Sequence, residues 1–121
     1  MYVDDAVRLR HMLDAAREAI AFVGDRDRDS LDHDRMLTLS LVKSIEIVGE
    51  AACRVSRECQ ERNSEIPWAS IIAMRNRLIH GYFDSDLDRV WDTITTDLPP
   101  LIARLEAVVA AIDAEMGSIG S

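Results

Sequence analysis

The chain has little cysteine, proline, glycine or aromatic character: 2 Cys, 3 Pro, 5 Gly, and only 5% Phe, Trp and Tyr. Each shortage excludes something. Few prolines and glycines argue against a turn-rich β fold. Cys53 and Cys59 are six residues apart on what reads as one helix, about 600° around its axis, so they point apart and cannot form a disulfide there. Two sulfurs do not make a zinc site, and His11, His33 and His80 have no metal-ligand spacing, so no metal and no cofactor is expected. There is no glycine-rich loop or aromatic cage for a small ligand. No apolar run approaches the roughly 18 residues of a membrane span. Met1 to Asp5 is acidic with no apolar core behind it. No secretory signal is expected, and the compartment that fits is a reducing cytoplasm.

What remains is an ordinary globular composition, with 48% hydrophobic and 30% charged residues in 121. That length implies one domain, large enough to bury a core without disulfides. The net charge is −8, which taken alone argues against a nucleic-acid partner. The distribution is uneven. Residues 1–50 carry 7 basic and 11 acidic groups, residues 84–121 carry 2 and 8, and residues 51–83 carry 5 and 3. The middle is thus the only net-basic stretch. Every basic residue but Lys43 is arginine, whose planar fork suits phosphate.

Periodicity is helical throughout. A first helix is expected over 4–23, with Val3, Val7, Leu13, Ala16, Ile20 and Val23 on its core face and Gly24 ending it. The alternating charges from Asp25 to Asp29 read as a solvated loop. A long second helix is expected over 34–62. Its seam, Leu41, Ile45, Val48, Ala52, Val55 and Cys59, recurs in heptad-like steps, as in helices packed nearly parallel. Glu50 and Arg54 form an i, i+4 pair. A second stripe passes through Leu39, Val42, Gly49 and Cys53. Glu46 falls on it, either reaching solvent at the rim or pairing with a buried cation. Gly49 weakens the helix by about 1 kcal/mol relative to alanine, and permits close approach of another backbone. Pro67 suits the first turn of a third helix reaching Ile79. A fourth helix follows the turn Asp84-Ser85-Asp86, and Pro99-Pro100 ends it and starts a fifth. The sum is an all-α, up-and-down four-helix bundle with one additional short helix. It forms a single domain over 1–116, followed by a frayed tail, 117–121.

Chemistry concentrates on the third helix. Arg75 lies in the middle of its apolar stripe, among Ile71, Ile72, Leu78 and Ile79. A buried unpaired guanidinium is very costly. Arg75 must therefore meet a carboxylate, with Glu46 the candidate, or face a cleft or subunit interface. Asn76 and His80 are i, i+4 and share a face, so the amide can hold one imidazole nitrogen. His80 stands at the helix C-terminus, where open carbonyls favour its protonated form. It can serve there as a simple cap, or as a proton donor and acceptor near neutral pH.

The stretches Ile47-Val48-Gly49-Glu50-Ala51, Ile66-Pro67-Trp68 and Met74-Arg75-Asn76-Arg77-Leu78-Ile79-His80-Gly81-Tyr82-Phe83 resemble the HepT group of the HEPN superfamily, over about residues 4–112. The resemblance implies a HEPN-like fold and a metal-independent endoribonuclease acting as a toxin. It further implies a homodimer paired with a minimal nucleotidyltransferase antitoxin. By the same resemblance Arg75 and His80 are the catalytic pair and Asn76 supports them; Glu46 is a supporting candidate from the helix pattern alone. Arg75 and Arg77 would contact RNA, and Tyr82 would be the tyrosine that the antitoxin adenylylates. The competing reading is a non-catalytic helical module that binds a nucleotidyltransferase, with Arg75 and Glu46 as a structural pair.

Overall fold

In the computed structural model, residues 3–80 and 86–120 are described, the side chains of residues 3 and 116–120 excepted. Among them there is no strand. The helices are α1 (Val3–Val23), α2 (Ser30–His33), α3 (Arg35–Arg54), α4 (Arg57–Arg62), α5 (Trp68–Ile79), α6 (Leu87–Asp92) and α7 (Leu98–Gly120). None of them is long and apolar enough to cross a membrane.

Local chemistry sets the boundaries. Gly24 adopts φ +55°, the left-handed conformation that ends α1, and its N–H reaches Ile20 O at 3.1 Å. Asp34 caps α3 by accepting from Leu37 N–H at 3.0 Å. The expected long second helix is two helices. The chain becomes extended at Val55 (ψ 135°), and Ser56 caps α4 by accepting from Cys59 N–H at 3.2 Å. A distant residue stabilises this break. Asp5, 3% exposed, accepts from Ser56 N–H at 2.8 Å and from Ser56 Oγ at 2.6 Å. Periodicity misses the break because the whole seam from Leu41 to Cys59 stays buried across it. Cys53 and Cys59 are free thiols, as expected, but on separate helices, the first exposed and the second buried.

Pro99-Pro100 does not end a helix either. A π-turn, Thr93–Asp97, joins α6 to α7 along a continuous helical path. Its wider hydrogen-bonded ring carries the chain past two residues that have no N–H to donate. Thr93 Oγ and Thr95 Oγ donate to carbonyls four residues back, at 2.8 and 2.9 Å.

The core is one contiguous cluster. α3 lies centrally, with α1 against one side and α5 against another, while α7 closes over α1. On α1 the buried stripe is Leu9, Met12, Leu13, Ala15, Ala16, Ala19 and Val23. Val7 and Ile20, expected inside, are 41% and 37% exposed, because small alanines let α1 approach α3 along a neighbouring stripe. The start of α5 is held by Trp68, whose indole N–H donates to Gln60 O at 3.1 Å and Asn63 O at 3.0 Å.

Candidate active site

α5 crosses α3 at Gly49. A methyl group there would stand 2.2 Å from Arg75 Cβ and 2.7 Å from Cγ. The glycine is therefore what lets the Arg75 stem lie directly on α3, as its position in a long helix suggested. From this crossing the guanidinium extends along α3 to Glu50. Nη2 donates to Glu50 Oε2 at 2.5 Å, and Nη1 donates to Asn76 Oδ1 at 2.8 Å. Arg75 is thus held by two acceptors while its side chain remains 25% exposed. A guanidinium has five N–H donors. Glu50 and Asn76 occupy two, and no other described residue accepts from the rest.

The partner of Arg75 is Glu50, not Glu46. Close contact at Gly49 sets the arginine level with residues 49 and 50, one turn beyond Glu46, whose carboxylate lies 3.9 Å from Lys43 Nζ instead. Glu50 also accepts from Arg54 Nη2 at 3.0 Å, the pairing expected from its i, i+4 spacing. The hydrogen bond and charge of Arg75 hold the Glu50 carboxyl below the usual carboxylate range, with Arg54 adding to the effect.

These groups form one wall of a groove of about 410 Å³ between α1, α3 and α5. Arg8 and His11 line it from α1, Lys43, Glu46, Ile47, Glu50 and Arg54 from α3, and Arg75 and Ile79 from α5. The groove is rich in cationic side chains although the chain as a whole is acidic. His80 follows Ile79 as the exposed cap of α5, at φ −87° and ψ 5°, and does not itself line the groove. The Asn76 amide expected to hold its imidazole has its oxygen engaged by Arg75. Arg77 faces elsewhere, with Nη2 3.0 Å from Asp86 Oδ2. Tyr82 lies outside the described residues. No group of three or more His, Cys, Asp or Glu among the described residues could hold a metal ion.

Sequence reasoning placed Arg75, Asn76 and His80 on one helix. It missed Glu50 as the arginine's partner and the contribution of α1. A signal for Glu50 was present, since it follows the glycine at which α5 crosses. Nothing local in the sequence marks Arg8 or His11.

Comparison with known proteins identifies the family. The family model described as HepT-like, ribonuclease HepT-like, matches residues 12–108, a span that contains Gly49, Glu50, Arg75 and His80. A protein of Caldanaerobacter subterraneus subsp. tengcongensis, named as a candidate RNase, is 33% identical over 101 residues, 84% of this chain and 90% of its own. A candidate RNase of Methanocaldococcus jannaschii is 29% identical over 100 residues, 83% of this chain and 92% of its own. A Thermococcus cleftensis protein named as a probable ribonuclease HepT is 33% identical over 73 residues, 60% of this chain and 66% of its own. No solved structure matches the chain. An all-α bundle that holds an arginine on a glycine crossing, five residues before a helix-capping histidine, thus belongs to the HepT-like ribonuclease family of the HEPN superfamily.

Proposed function

We propose that the chain is a metal-independent endoribonuclease, the toxin of a HEPN/MNT toxin–antitoxin pair. The observation that carries this reading is the Arg75 guanidinium. It is oriented by Glu50 and Asn76, keeps donors free, and faces a cationic groove at the helix that ends in His80. RNA brings its own nucleophile. The 2′-hydroxyl loses its proton to a base and attacks the adjacent phosphorus, and the 5′-oxygen leaves with a proton. The products are a 2′,3′-cyclic phosphate and a 5′-hydroxyl. His80 suits the proton transfers, typically a factor of about 10²–10⁴. Arg75 suits the charge that develops on the phosphoryl oxygens.

One His80 per chain falls short of an acid and a base. A homodimer would supply the second, by bringing two copies of Arg75 and His80 to one two-fold axis. Ile47 (38% exposed) and Ile79 (52% exposed) leave large apolar side chains in solvent where they line the groove, and Met36 and Leu39 do so nearer the N-terminus of α3. Such a surface suits a second copy of this chain. Tyr82 stands two residues after His80 in the sequence. An AMP joined to it by a partner nucleotidyltransferase would add negative charge and bulk beside the catalytic histidine, and so silence the nuclease.

The test is incubation of purified protein with total RNA in EDTA, followed by mapping of the ends. Cyclic-phosphate ends are expected with the wild type and not with His80→Ala or Arg75→Ala. The 2.5 Å Arg75–Glu50 ion pair also favours a second reading, a structural arginine in a non-catalytic module that binds a nucleotidyltransferase. Equal cutting by wild type and His80→Ala would remove the catalytic assignment and leave that second reading.

A further inference from the structure

The α1 wall of the groove has no part in the chemistry described above, and its charges are unusual for this molecule. α1 also carries Arg10 and Arg17, and both are neutralised across the bundle, Arg10 by Asp113 and Arg17 by Glu106 at 3.3 Å, on α7. Arg8 and His11 lie one turn apart and both line the groove. Neither forms an ion pair with any described residue, although the chain has 22 acidic residues. Across from them, Lys43 is 71% exposed and only 3.9 Å contact links it to Glu46, so its ammonium is free to swing. The other carboxylate in the groove, Glu50, is already engaged by Arg75 and Arg54.

We infer that Arg8, His11 and Lys43 form a second phosphate subsite, which holds the RNA phosphodiester next to the one being cut. The inference deepens the ribonuclease reading and rests on it. Arg75 stands on the α5 wall and these groups on the α1 and α3 walls, so a strand lying in the groove would meet both sets of donors. The subsite gives an acidic protein a local path for a polyanion, because charges within about 8–10 Å dominate at physiological ionic strength. It contributes position rather than base selectivity, as phosphate contacts do.

The test uses a short fluorescein-labelled oligoribonucleotide carrying 2′-O-methyl groups, which binds but has no free nucleophile to react. Binding is followed by fluorescence anisotropy across a salt series, for wild type, the double variant Arg8→Gln/His11→Gln, and Arg17→Gln as a control for net charge. The double variant is expected to bind about tenfold more weakly. Its log–log salt slope should be shallower by about 0.7 for each lost phosphate contact. Cleavage of unmodified RNA should then show a rise in KM larger than any fall in kcat. Arg8 is half-buried, His11 and Arg17 are exposed, and none belongs to the apolar core, so circular dichroism melts should lie within a few degrees of one another. If wild type cuts RNA and the double variant matches Arg17→Gln in both affinity and slope, the subsite is refuted and the ribonuclease reading survives. If wild type neither binds nor cuts RNA, both are refuted.

Discussion

Replacing Gly49 by alanine tests whether one close helix crossing sets the position of Arg75. The added methyl would sit 2.2 Å from Arg75 Cβ, whereas ordinary carbon contacts begin near 3.4 Å, so α5 and α3 must part locally by about 1.2 Å. The obstacle is the root of a side chain fixed to its own helix backbone, so rotation of a distant bond cannot relieve it. Overpacking of this kind costs about 1–3 kcal/mol. The better helix propensity of alanine returns at most about 1 kcal/mol. A net loss of about 0–2 kcal/mol follows, seen as a fall in Tm of up to several degrees. Function should suffer more than stability. A displacement near 1 Å at a positioned group can cost about 10²-fold in rate, and the Glu50 and Asn76 contacts to Arg75 would both lengthen. Thermal melts by circular dichroism and cleavage of a defined RNA, assayed well below the melting range, measure the two effects separately. A Gly49→Ala protein that melts at or above the wild-type temperature and cuts at the wild-type rate would refute the reasoning.

Two other contacts can be tested by their effect on stability. Asp5→Ala strips the acceptor from Ser56 N–H and Oγ at the α3–α4 break and should lower stability by about 1–3 kcal/mol in urea unfolding; a midpoint equal to wild type would mean that the break is held by something else. Arg75 depresses the Glu50 pKa in the folded state, so the stability this carboxylate contributes is complete above the unfolded value, near 4.3, and is lost as pH falls through the folded one. Glu50→Gln should therefore flatten the acid limb of a plot of urea midpoint against pH, while an unchanged slope would show that the pair does not couple to folding.

The all-helical architecture was legible because the apolar repeat of each helix is local. The heptad-like steps from Leu41 to Cys59 predict the buried seam whatever partner covers it, and Gly24 and Pro67 mark ends through their own backbone preferences. The two misplaced boundaries depended on distant or compensating groups. Asp5 stabilises a break 51 residues away that the apolar pattern runs straight through. A π-turn absorbs two prolines that a simple rule would place at a terminus.

The candidate site divides along the same line. Arg75, Asn76 and His80 share a single helix, so their spacing is already a geometric statement. Their environment depends on where α5 crosses α3. That crossing, set by the missing side chain of Gly49, brings Arg75 to Glu50 instead of Glu46 and opens a groove on which α1 places Arg8 and His11. Helix periodicity acts over a few residues and is written in composition and order. Which charges face one another is a property of packed surfaces, and only the assembled bundle decides it.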